Sequence, residues 1–356
     1  MPVKFYRVTP AVIQSIRKRA LTKASWQGPL TKLQKALISP MLSNPALVDE
    51  ITAEKATILE PELKRMMNAL PAEKPYYTIC LFGREVDARV LGENGIATCT
   101  NVGGRSNNED SAAALVSENE VRLVVADGAG GYRTGEVASA LALKHLFSPA
   151  IEKYSLSGAI EHCHDVIGTW AKEGGISSGT TISAVTLDPA TGHGFSSHIG
   201  DSPIYHFRGA DRSIWLLNRL HLFNLPKLTG KRVKTWFKDN KKKMKDPTLP
   251  DGRLNPPYNE DVIRFVHFCL YTQPGMNYVS ALVGRSIPKK IETIEFTLKA
   301  GDRLLLCSDG LNVPLEFMRE RLGLPLPIAA VELVGMSVRR NGPNGDNVTA
   351  LLFEQV

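Results

Sequence analysis

The chain has no apolar run long enough to cross a bilayer, and its N-terminus lacks the apolar stretch of a secretory leader. Both absences set the expectation of a cytoplasmic protein without a transmembrane segment. Cysteine is sparse: five residues, dispersed and odd in number, with no CxxC pair. That argues against a disulfide framework or a zinc site and for free thiols in a reducing compartment. His162-Cys163-His164 does not restore a metal reading, because adjacent residues on a helix point in different directions. The trio reads as helix surface and core. No internal repeat or low-complexity tract occurs.

Acidic residues are missing altogether from Met1 to Val48, where Lys4, Arg7, Arg17, Lys18, Arg19, Lys23, Lys32 and Lys35 are basic. This stretch alone exceeds the chain's net charge of +7, so the remainder is near neutral. A second basic block runs from Lys227 to Lys245 and contains Lys241, Lys242 and Lys243. The basic character therefore belongs to two local patches, not to the whole surface.

At 356 residues the chain can bury one large core and carry an appendage. The first segment, 1–75, reads as a basic helical extension, with short helices at 10–20, 29–38, 46–56 and 61–70. It closes in the linker Pro71-Ala72-Glu73-Lys74-Pro75. The main domain is expected over 76–356. Its strands are predicted at 77–82, 95–100, 122–126, 181–187, 194–199, 203–207, 213–217, 293–298, 303–308 and 348–353. Helices are predicted at 135–147, 158–172 and 327–340. Strands paired with few intervening helices do not suit a parallel sheet; they suit an α+β fold, an antiparallel β-sandwich with helices outside. The Lys-, Pro- and Asn-rich stretch at about 218–276 interrupts the pattern and reads as a basic, flap-like insertion.

Five short segments carry the chemistry. They are Arg105-Ser106-Asn107-Asn108-Glu109-Asp110, Ala126-Asp127-Gly128-Ala129-Gly130-Gly131, Ile199-Gly200-Asp201-Ser202, Cys307-Ser308-Asp309-Gly310-Leu311 and Gly345-Asp346-Asn347-Val348-Thr349. An Asp-Gly pair alone is usually a turn. Here Asp127, Asp309 and Asp346 each sit where an apolar, strand-like run meets glycine or a small polar residue. Carboxylates projected from several strand ends into one cleft supply the oxygen ligands that hard divalent cations prefer. In order and wording, the segments from about Ala97 to Phe353 resemble the metal-dependent, type 2C serine/threonine protein phosphatases, in their bacterial style.

The resemblance implies a four-layer αββα sandwich with a metal cleft at one end. It implies two Mn²⁺ or Mg²⁺ ions, with Asp127 bridging them, the carbonyl of Gly128 and Glu109 serving one metal, and Asp309 and Asp346 the other. Asp110 would orient water, and the water bridging the metals would attack phosphorus in line. Arg105, whose planar fork suits two phosphate oxygens, would hold the substrate. Its alternative is a surface ion pair with Glu109. Asp201 occupies the family's Gly-Asp-Ser turn, which can serve a weak third metal. The further carboxylate of that site is replaced by Val313, with Asn312 a poor substitute, so a third metal is expected to be weak or absent. Ala129 stands where eukaryotic relatives carry a histidine general acid; His198, His206 and His221 are the other candidates to give a proton.

Implied partners are a phosphoprotein substrate and a cognate kinase, with the chain a monomer. Lys241, Lys242 and Lys243 are expected to favour acidic phosphopeptides. A catalytically silent module that keeps the fold is the alternative. A nucleic-acid platform, with Trp236 and Phe237 stacking on bases, is a further one.

Overall fold

Apolar residues at two-residue spacing build two antiparallel sheets in the computed structural model of the chain. It describes residues 77–81, 89–91, 95–116, 119–130, 134–148, 151, 154–222, 229–240, 242–243, 255–272 and 279–356. The N-terminal segment 1–75 and Lys241 lie outside the described residues. The strands are β1 (Tyr77–Leu81), β2 (Arg89–Leu91), β3 (Ile96–Asn101), β4 (Asp110–Val116), β5 (Val121–Gly130), β6 (Ser178–Thr180) and β7 (Ile182–Leu187). Then come β8 (His193–Ile199), β9 (Ile204–Phe207), β10 (Ile214–Leu216), β11 (Thr293–Thr297), β12 (Arg303–Cys307) and β13 (Val348–Glu354). The helices are α1 (Thr134–Leu146), α2 (Leu156–Glu173), α3 (Gly230–Asp239), α4 (Glu260–Thr272), α5 (Leu315–Arg321) and α6 (Leu326–Asn341).

One sheet runs β1-β4-β5-β7-β8-β11, with β6 attached to β5; the other runs β10-β9-β12-β13-β3-β2. Strand alternation sends Ala112, Ala114, Leu123 and Val125 inward against Ile204, Leu304, Leu306, Leu351 and Phe353 of the facing sheet. Their neighbours Ala113, Val124 and Ala126 face outward and are covered by Ala138, Leu143, Ile160 and Ile167 of α1 and α2. On the second sheet, Cys99, Leu305, Ala350 and Leu352 pack under Val262 and Val266 of α4 and Ala330 and Leu333 of α6. Four layers result, as the sequence pattern and the resemblance implied. Each large side chain buried this way contributes about 1.5–3 kcal/mol. Cys163, Cys269 and Cys307 are buried free thiols, and Cys99 is buried as well. Among the described residues no helix is long and apolar enough to cross a membrane.

Three findings depart from the sequence pattern. First, β4 is a strand over the alanine-rich run Asp110-Ser111-Ala112-Ala113-Ala114-Leu115-Val116, which carries no strand propensity of note. Small side chains are what the crowded space between β1 and β5 accepts, and the ladders on both sides impose the extended form. Second, β5 does not stop at Ala126 but continues to Gly130, where β6 pairs with its second half. Third, the described part of the 218–276 segment is built into the core rather than hung on the rim. Val233, Trp236 and Phe237 of α3 and Ile263 and Phe265 of α4 belong to the cluster above the second sheet. The rings of Trp236 and Phe237 meet edge to face at 4.8 Å, and both are buried. Neither ring is exposed enough to stack on bases.

Candidate metal centre

The start of β4, the middle of β5, the end of β12 and the start of β13 meet at one end of the sandwich. Antiparallel register sets Asp110 directly opposite Asp127. Ser308, the residue after β12, donates its hydroxyl to Asp110 Oδ2 at 2.7 Å and accepts the Thr349 N–H at 2.9 Å. That single hydroxyl ties the two sheets together beside Asp309.

Asp127 is fixed by its backbone. Its N–H donates to Thr181 Oγ1 at 2.9 Å, and its carbonyl accepts from Thr181 N at 2.8 Å and Thr180 Oγ1 at 2.9 Å. Thr181 is held in turn by Ser202 at 2.7 Å, so both threonines are structural. Gly128 lies where α1 begins: a Cβ there would come within 2.0 Å of the Gly135 carbonyl oxygen, so any side chain would push the helix away. Asn347 braces the other side. Its Oδ1 accepts the Glu109 N–H at 2.8 Å, while its amide donates to the carbonyls of Val102 and Asn107 at 2.8 and 3.0 Å.

Electrostatics concentrate acidic groups at this end. Asp127 is pushed well above the ordinary carboxylate range, first by burial and then by Asp110, Asp309, Asp346 and Asp201. Burial, together with Asp346 and Asp110, pushes Asp309 up to about 7, even though a hydrogen bond with Asp127 favours its charge. Glu109 also rises to about 7, chiefly through burial. Asp201 is raised by burial and by Asp309. Carboxylates that repel one another and share protons are a donor set of oxygens that divalent cations fit. Among the described residues no three of these side chains yet converge on one point as a closed cage. Asp346 is instead turned to Arg105, whose Nη2 donates to its Oδ2 at 2.7 Å. The ion pair of Arg105 is thus with Asp346, not Glu109.

The remaining candidates separate clearly. Asn312 donates its amide to Asn341 Oδ1 at 3.0 Å, and Val313 is buried and has no side-chain oxygen to offer a cation. His198 is pushed down to about 3 by burial, with Nε2 bonded to the Arg219 carbonyl. His221 stacks on it at 4.7 Å and falls to about 4 for the same reason. His206, also lowered by burial, is bonded to Asp302 at 2.9 Å. These imidazoles are neutral packing groups. Lys242 places its ammonium 4.5 Å from the Trp236 ring centroid, which makes it part of the fold.

One residue at the site carried no sequence signal. Tyr271, near the end of α4, donates its hydroxyl to the Leu311 carbonyl at 2.9 Å, two residues beyond Asp309. It comes from the atypical 218–276 segment, which reads as a flap-like insertion without any motif that singles out Tyr271. Losing a hydrogen bond of this kind costs about 1 kcal/mol. Tyr271→Phe should therefore leave the fold intact but weaken Mn²⁺ binding several-fold, read by calorimetric titration; unchanged affinity would make the hydroxyl dispensable.

Solved bacterial serine/threonine phosphatases share this fold. The catalytic domain of PstP in complex with two manganese ions is 24% identical, with a TM-score of 0.50 over 78% of this chain and 97% of that one. The phosphatase MsPP from Mycobacterium smegmatis, in complex with cacodylate, is 24% identical, with a TM-score of 0.52 over 73% of this chain and 98% of that one. In sequence, the serine/threonine protein phosphatase PstP of Mycobacterium tuberculosis is 30% identical over 272 residues, 71% of this chain. The chain spans 43% of the length of that relative. No family model matches. In sequence and in fold the chain is similar to the bacterial serine/threonine protein phosphatases of the metal-dependent, type 2C family.

Proposed function

We propose that the chain hydrolyses phosphoserine and phosphothreonine esters of proteins with the help of two divalent cations, Mn²⁺ or Mg²⁺. The observation that carries this reading is the meeting of acidic side chains at one end of the sandwich: Asp110 stands opposite Asp127 across the β4–β5 ladder, Ser308 ties Asp110 to the strand end that carries Asp309, and Asp309, Asp346 and Asp201 are close enough to raise Asp127. Asp127, Asp309, Asp346, Glu109 and the Gly128 carbonyl would hold the ions. When bound, such a pair supplies an acidified water and positive charge opposite the phosphoryl oxygens. Asp110, its carboxylate anchored by Ser308, is placed to orient that water. Arg105, half-exposed at the rim, would leave Asp346 to the cation and turn its fork to the phosphate.

Residues 76–356 form the catalytic domain in this reading, and 1–75 a basic extension that docks elsewhere. A monomer in the cytoplasm, working opposite a serine/threonine kinase, completes the proposal. The alternative, a silent binding module, gives no reason to keep five mutually repelling acids. Purified chain and a phosphothreonine peptide separate the two readings. Phosphate release that needs Mn²⁺ and stops with EDTA is expected, whereas a silent module releases none.

Ala129, paired with Gly179 between β5 and β6, can donate no proton. A positioned general acid contributes about 10²–10⁴ in rate, most of it on esters with poor leaving groups. Aryl phosphates should therefore turn over far faster than small alkyl phosphates. Ala129→His should improve phosphoserine peptide turnover more than p-nitrophenyl phosphate turnover. A flat dependence on leaving-group pKa would mean that another group already gives the proton.

A further inference from the structure

Between α3 and α4, on the outer helical layer of the second sheet, lies an open cleft of about 330 Å³. Trp236, Phe265, Phe268 and Cys269 form its apolar floor, and Lys231 and Arg232 stand on its rim, with Asp239 at one end. Lys234 and Lys238 lie on the flank of α3 beside Lys231, outside the cleft lining. The Arg232 guanidinium sits 5.9 Å from the Phe265 ring centroid and the Lys242 ammonium 4.5 Å from that of Trp236. Trp236 is 93% buried, so it offers the cleft only a small apolar patch of its ring.

We infer that this cleft docks an acidic peptide segment of a partner protein, seating one apolar side chain on the aromatic floor between carboxylates that meet the lysines. The inference does not depend on the phosphatase reading. Charge complementarity selects the occupant: Lys231 and Arg232 outnumber Asp239 around the cleft, and its floor is apolar. Nucleic acid is disfavoured because the aromatic rings lie in the floor, packed against one another at 4.8–5.8 Å, and cannot intercalate with bases. A membrane is disfavoured because the exposed large apolar side chains among the described residues, Tyr154, Phe195 and Val356, are none of them here. Phe268 is one turn of α4 before Tyr271, so an occupant would press on the helix that braces the Asp309 loop.

The test uses the full chain and a fluorescein-labelled peptide, Glu-Asp-Glu-Leu-Asp-Glu-Asp, followed by anisotropy. Saturable binding is expected, weakened about tenfold or more by Lys231→Glu with Lys238→Glu, as loss of complementary charge requires. Thr235→Glu, an exposed change on the cleft wall, should weaken it independently, and replacing the peptide's Leu by Ser should do so without any change to the protein. Melting temperatures equal to wild type show that the variants are folded. No saturable binding, or binding indifferent to all three changes, overturns the inference. So does tighter, equally charge-sensitive binding of a random single-stranded oligonucleotide or of phosphatidylserine vesicles.

Discussion

Asp127→Asn should abolish metal-stimulated phosphate release and at the same time stabilise the metal-free fold. The two effects have one cause. Asp127 faces Asp110 across the β4–β5 ladder and feels Asp309, Asp346 and Asp201 as well. Without cations this is like-charge repulsion in a desolvated place; with them it is the binding energy of the site. Asparagine keeps the shape, can donate to Asp309, and removes the charge. Two-metal assistance stabilises the transition state by several kcal/mol, so a loss of about 10³-fold or more is expected on both p-nitrophenyl phosphate and a phosphothreonine peptide. In EDTA the variant should melt a few degrees above wild type. Near wild-type turnover would remove Asp127 from the metal centre, and a lower melting point would show that its charge is paired in the metal-free protein.

The second large effect concerns pH and metal together. Glu109 and Asp309 rise from ordinary values of 4.5 and 3.8 to about 7 in the fold. A raised folded pKa gives stability that is present below the unfolded pKa and lost as pH rises towards 7. His198 falls to about 3 and His221 and His267 to about 4, all from 6.5. A depressed histidine works the other way: its stability is present above 6.5 and lost as pH falls towards 4. In the metal-free protein the two slopes oppose each other between pH 4 and 7, and the melting temperature should change little there.

Cations displace the carboxylate protons and leave the histidine slope alone. Stability of the loaded protein should then climb with pH, by about 1.4 kcal/mol per proton per pH unit. The gap between Mn²⁺ and EDTA melting curves should widen from pH 5 to 7 and level off above it. Titration of metal in two buffers of different ionisation enthalpy should show proton release near pH 6. An identical metal-induced shift at pH 5 and pH 7.5 would contradict the assignment of Glu109 and Asp309 to the centre.

Periodicity along the chain determined α1, α2 and α6 to within two residues, and most strands of both sheets, because each buries one face at a repeat its own residues spell out. Asp127, Asp309 and Asp346 stood out because a carboxylate where an apolar run meets glycine or a small polar residue is a local signal, whereas Glu109, Asp110 and Asp201 joined them only through the resemblance to a family. What needed the tertiary structure is everything set by partners distant in sequence. The alanines of β4 favour no strand, and only the ladders to β1 and β5 extend them and bring Asp110 opposite Asp127. Ser308 reaches Asp110 across 198 residues, and Arg105 reaches Asp346 across 241. Trp236 and Phe237 sit in a lysine-rich run that reads as surface, and burial against α4 makes them core. Tyr271 reaches the Asp309 loop only because α4 packs on the second sheet. Local spacing fixes which face of an element is apolar; which elements meet, and so which charges must share one desolvated space, is decided by the long-range packing alone.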